Sequence, residues 1–148
     1  MQVIIPSYQF DCCGRVAEWR IRVPNTIERF ENSITIELQV WQPNIKYPRC
    51  YRLVGNNSFT KFSSINGIIT LSPPPNNKIQ AQPTDVLGLH VYGKPGLEVH
   101  TTRDTRTPTR QAVTATTADH CSRWPRYHQY FTLAKKVPTP AISASLGK

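Results

Sequence analysis

No apolar run in this 148-residue chain approaches the roughly 20 residues that a spanning helix needs, so no transmembrane segment is expected. The motifs of common hydrolases are missing too. There is no Gly-x-Ser-x-Gly elbow, no His-Glu-x-x-His and no pair of carboxylates at suggestive spacing. The seven glycines are scattered, which removes a phosphate-cradling loop. Cys12, Cys13, Cys50, Cys121, His120 and His128 have the donor chemistry for zinc, but neither Cys-x-x-Cys nor His-x(3–5)-His spacing occurs. No catalytic residue, metal site or cofactor is therefore assigned. The start, Met-Gln-Val-Ile-Ile-Pro, has no basic leader and too short an apolar stretch for a signal peptide.

Hydrophobic residues, at 39%, are also sparse, while proline is frequent at 13 residues. Proline breaks helix interiors, so this balance disfavours a helical bundle. It suits short strands joined by Pro- and Asn-rich turns, and the plentiful Val, Ile, Thr and Ser fit a pleated surface.

Alternation supports that choice. In Val16–Val23, Ala17, Trp19, Ile21 and Val23 share one face, with Glu18, Arg20 and Arg22 on the other. In Ser33–Trp41, Ile34, Ile36, Leu38 and Val40 lie opposite Thr35, Glu37 and Gln39. This period of two marks a sheet with one buried face. Further strands are expected at Cys50–Gly55 (closed by a turn at Gly55-Asn56-Asn57), Gly67–Ser72, Lys78–Gln82, Val86–Tyr92, Leu97–Thr101 and Ala141–Leu146. Pro73–Pro75 is a firm break, because proline cannot donate to a ladder. The fold expected is all-β: a two-sheet antiparallel β-sandwich, jelly-roll-like or Ig-like, of about eight strands. It is read as one domain over residues 10–148, with residues 1–9 a short extension or first edge strand. Residues 102–118, rich in Thr and Arg and poor in large apolar side chains, read as a long basic loop, with order resuming over His120–Leu133.

Four cysteines in a Pro-rich β protein are compatible with disulfides and an oxidising compartment. Three pairings exist. Neighbours Cys12 and Cys13 would point to opposite faces of a strand, so bonds from this pair outward to Cys50 and Cys121 are favoured. The absent leader opposes secretion. It is explained, in order of preference, by a fragment of a longer precursor, a misassigned start, or an intracellular protein with free thiols.

The formal net charge is +9, unevenly placed: residues 101–148 carry eight Lys/Arg against two Asp/Glu. Arg103, Arg106 and Arg110, with Arg123 and Arg126 interleaved with Trp124 and Tyr127, form a candidate polyanion site. The competing reading is a solvated basic face over a core of aromatics. Asn56-Asn57-Ser58 makes Asn56 a candidate glycosylation acceptor. His90, His100, Asp85 and Asp104 are His and Asp residues close together in sequence that a hydrolase could use.

Several fragments together resemble a family. They are Cys-Cys-Gly followed by Trp19, Leu-Gln-Val-Trp-Gln-Pro (38–43), Cys-Tyr-Arg-Leu-Val-Gly-Asn-Asn (50–57), Ile-Gln-Ala-Gln-Pro-Thr-Asp-Val-Leu-Gly (79–88) and Pro-Ala-Ile-Ser-Ala (140–144). Their order resembles an uncharacterised β-sandwich module of invertebrate ectodomains and secreted proteins, with the likeness running over roughly residues 10–100. The module has Gly in its Gln-Pro-Gly-Asp turn, where this chain has Thr84, and residues 102–130 match nothing in it. The resemblance implies a fold and a compartment but no reaction. The function expected is a non-catalytic extracellular or cell-surface recognition or adhesion module with a protein or glycan ligand. Binding of heparan-type polyanions is the alternative, a hydrolytic enzyme is a distant third, and nucleic acid is disfavoured.

Overall fold

A computed structural model of the chain describes residues 2–23, 29–47, 49–93, 112–117, 130–137 and 140–147, for 29–33, 112–117 and 130–137 the backbone only. Among them are ten strands: β1 (Gln2–Gln9), β2 (Gly14–Arg22), β3 (Arg29–Pro43), β4 (Tyr51–Ile65), β5 (Ile68–Leu71), β6 (Gln80–Ala81), β7 (Val86–Gly93), β8 (Ala112–Thr117), β9 (Tyr130–Val137) and β10 (Ile142–Gly147). A 3-10 turn at Pro75–Asn77 follows the triple proline. No helix among the described residues is long and apolar enough to cross a membrane.

The all-β expectation holds. All pairings are antiparallel, and the strands join one sheet in the order β10-β2-β5-β4-β3-β7-β1-β8-β9, with β6 on β2. Where two separate sheets were expected, one curled sheet is found. The reason lies in β4, which pairs with β3 from Tyr51 to Ser63 and with β5 at Ser64 and Ile65, carrying the ladder from one region to the other. The sheet curls far enough that β9 also meets β4, at Tyr51↔Phe131 and Arg52↔Tyr130.

The β4 strand also corrects the turn expected at residues 55–57. Asn56 and Asn57 lie within the strand, opposite Gln39 and Leu38. The chain reverses later, at Asn66-Gly67, where φ is 53° and 75°. Positive φ at both central residues is the requirement of a tight hairpin turn, and Asn-Gly meets it at little cost. Gly55 serves close packing instead: a Cβ there would lie 3.1 Å from Ile79 Cγ2.

Residues 2–9 are not an extension or an edge. They form β1, hydrogen-bonded to β7 on one side and β8 on the other. Its run Val3-Ile4-Ile5 is buried throughout, with Val3 and Ile5 in the main core and Ile4 in a second cluster on the opposite face. A strand covered on both faces needs apolar residues on both, which abolishes alternation. Within residues 102–118, read as one loop, 112–117 form β8, whose backbone pairs with β9 and β1.

The main core unites Trp19 and Ile21 of β2, Ile69 and Leu71 of β5 and Ile142 of β10 with Val3, Ile5, Ile34, Ile36, Leu38, Val40, Leu87, Leu89 and Val91. The face assigned to β3 from alternation is thus the one buried. In β2 a register shift between Glu18 and Val16 gives Val16 the core position expected for Ala17. Trp19 is fully buried, and its Nε1–H donates to Asn57 Oδ1 at 3.0 Å. Asn57 Nδ2 in turn donates to Asn77 O at 2.8 Å, so one buried amide ties β2, β4 and the 3-10 turn together. Tyr8 fastens the last strand, its hydroxyl donating to Ala144 O at 3.2 Å.

Candidate functional site

The face of β3 opposite the core reads Thr35, Glu37, Gln39, Trp41, and strand pleating aligns these with alternate residues of the neighbouring strands. The register gives two cross-strand rows: Gln2–His90–Glu37–Ser58 and Ile4–Gly88–Gln39–Asn56, each in the order β1, β7, β3, β4. Beyond the second row, Val86 lies beside Trp41. Beyond the first, Tyr92 lies beside Thr35 and is 45% exposed. This face therefore grades from a buried apolar cluster (Ile4, Trp41, Tyr51, Val86) through a polar middle to an exposed aromatic.

Glycine makes the apolar end possible. A Cβ on Gly88 would lie 2.5 Å from Trp41 Nε1 and 2.9 Å from Gln39 Oε1, so only glycine lets the indole lie over β7. The indole N–H donates to Gln39 Oε1 at 3.0 Å. Gln39 is buried, and its Nε2 donates to Glu37 Oε1 at 2.9 Å and to Gln2 Oε1 at 3.1 Å. Exposed Asn56 donates through Nδ2 to the same Glu37 oxygen at 2.9 Å. Glu37 Oε2 stands 3.9 Å from His90 Nδ1. The imidazole tilts against the Tyr92 ring at a centroid distance of 4.9 Å.

Burial lowers the His90 pKa below its ordinary value, the neighbouring carboxylate of Glu37 opposes that shift, and the N-terminal ammonium adds to it. The net shift favours the neutral imidazole. Asp85, the carboxylate that proximity in sequence suggested for His90, sits at the start of β7 and faces elsewhere. Its Oδ2 accepts the Gln82 N–H at 2.9 Å, and its buried Oδ1 accepts no hydrogen bond among the described residues. Burial raises its pKa, against the Gln82 amide and the Arg52 charge. The acid beside His90 is instead Glu37, which the alternation placed on the wet face without giving it a partner. A register between β3 and β7 would have paired them, and sequence spacing does not supply one.

The rows limit the chemistry available. Across the sheet Glu37 stands between Ser58 and His90. A nucleophile relay needs the imidazole between hydroxyl and carboxylate, and this order reverses it. Among the described residues no three His, Cys, Asp or Glu side chains gather as a metal site would require.

No family model, curated protein or solved structure matches the chain.

The cysteines depart from expectation. Cys12 and Cys13 are exposed free thiols in the loop between β1 and β2, so bonds running outward from this pair do not form. Both lie outside the ladders, where strand geometry no longer decides which neighbour turns inward. Cys50 is fully buried and disulfide-bonded. Asn56 is exposed but lies mid-strand, off the turn on which an acceptor was expected. Arg103, Arg106, Arg110, Arg123, Arg126, Cys121 and His100, with the strand expected at 97–101, lie outside the described residues.

Proposed function

We propose that this chain is a non-catalytic recognition module of the cell surface or extracellular space, with the β3–β4–β7 face as its contact surface. The observation that carries the proposal is the cluster of hydrogen-bonding side chains Gln2, His90 and Glu37 from one row and Asn56 from the next, bordered by exposed Tyr92. Amides and a carboxylate hydrogen-bond vicinal hydroxyls, and a half-exposed aromatic ring packs against the C–H face of a sugar. A neutral glycan suits this chemistry better than a polyanion, which Glu37 would repel.

The curled sheet, with its β2-β5-β10 region packed on β1, β3 and β7, supports a sandwich of jelly-roll-like or Ig-like type. The extracellular assignment draws on Cys50. Cys50 is buried and disulfide-bonded. A buried disulfide fits an oxidising compartment. Non-reducing peptide mapping of protein from its native source tests this, and a reduced Cys50 would contradict it.

A glycan array tests the module itself, using labelled wild-type protein, Tyr92→Ala and Asn56→Ala. The proposal expects binding to neutral glycans that both substitutions abolish at unchanged melting temperature. Unaltered binding would refute it. The second reading, heparan-type binding, rests on the charge excess of residues 101–148. Retention on heparin that survives replacement of Arg103, Arg106, Arg110, Arg123 and Arg126 by Ala would defeat it.

A further inference from the structure

The loop between β3 and β4 exposes an isoleucine completely. Ile45 is 100% exposed and Tyr47 46%, while Lys46 and Arg49 beside them are exposed cations. Residues 44–50 contain no carboxylate. The loop is also tied down at its base. Asn44 Oδ1 accepts the N–H groups of Lys46 at 2.9 Å and Tyr47 at 3.1 Å. Asn44 N donates to Cys50 O, and Cys50 N to Tyr47 O, both at 2.9 Å. Cys50 is itself buried and disulfide-bonded. Ile45 is thus presented on a preformed support, and little ordering cost remains when it contacts something.

We propose that this loop inserts into the surface of a bilayer that displays acidic phospholipid headgroups. The order of groups supports that occupant: an aliphatic apex, a tyrosine with an apolar body and a polar tip, and two flexible cations around them. Tyrosine favours the headgroup level, lysine and arginine reach phosphates while their stems stay in apolar surroundings, and each cation adds attraction to an acidic surface. A folded protein partner fits less well. One protruding side chain ringed by charge lacks the broad apolar centre of a protein interface. A fluid bilayer imposes no such shape requirement. This inference is independent of the β3–β4–β7 face.

The test uses the full chain and two vesicle compositions, phosphatidylcholine alone and phosphatidylcholine with about one-third phosphatidylserine. Expected is partitioning onto the acidic vesicles, weakened about tenfold or more by Ile45→Ser, as burial of one aliphatic side chain implies, and similarly by Lys46→Glu with Arg49→Glu. Since Ile45 is wholly exposed, the serine variant should melt with the wild type. An Ile45→Trp variant should show blue-shifted emission on the acidic vesicles. Three results would overturn the proposal: no binding by folded wild type, binding that Ile45→Ser leaves unchanged (the basic last third then carries it), or an Ile45-dependent self-association without vesicle binding.

Discussion

Replacing Thr84 by glycine should stabilise the protein. Residues 82–85 form a turn closed by Asp85 N–H donating to Gln82 O at 3.1 Å, with Pro83 second and Thr84 third. Thr84 has φ 77°. That is a type II turn, whose third position demands positive φ and ordinarily carries glycine. Left-handed backbone costs an L-residue about 1–2 kcal/mol, and threonine adds branching at Cβ. Glycine removes the strain but frees the unfolded chain, returning about 0.5–1 kcal/mol. Thr84 is exposed, so no burial is lost. The net gain is about 0.5–1 kcal/mol, or a rise in Tm of about 1–4 °C for a chain of this size. Calorimetry on wild type, Thr84→Gly and Thr84→Ala measures it. Alanine keeps a Cβ and should recover little. A glycine variant that melts with or below the wild type would refute the reasoning, since the turn would then impose no strain.

Other substitutions probe the packing and the candidate site. Gly88→Ala drives a Cβ into Trp41 and should cost about 1–3 kcal/mol in urea unfolding, the range for overpacking. Asn57→Ala leaves the buried Trp19 N–H without an acceptor and should cost about 1–3 kcal/mol by the same assay. The His90 pKa is lower folded than unfolded, so its contribution is complete above the unfolded value and is lost as pH falls from there through the folded value. Between pH 7.5 and 5 the wild type should therefore lose more thermal stability than His90→Gln, and parallel melting curves would contradict the burial of the imidazole.

The strands of the main core were legible where one face alone is buried. Ile34, Ile36, Leu38 and Val40 alternate with polar neighbours and line the core as expected. Legibility fails where a strand is covered twice, as in Val3-Ile4-Ile5, because burial on both faces erases the period that marks a strand. It failed again at Gly55-Asn56-Asn57, where turn-forming residues lie within a ladder because Asn57 bonds across the core and Gly55 accommodates Ile79. The Asn66-Gly67 pair held the signal for the true reversal. The candidate site depends on register between β7 and β3, strands separated by β4, β5 and β6 in the chain, and no local pattern encodes which residue faces which.

The most direct test of the recognition surface is a chemical-shift map. Isotope-labelled protein would be titrated with the neutral oligosaccharide that binds best on the array. Shifts concentrated at the amides of Glu37, Asn56, His90 and Tyr92 are predicted. Shifts confined to other strands or to the arginines of the last third would contradict the account.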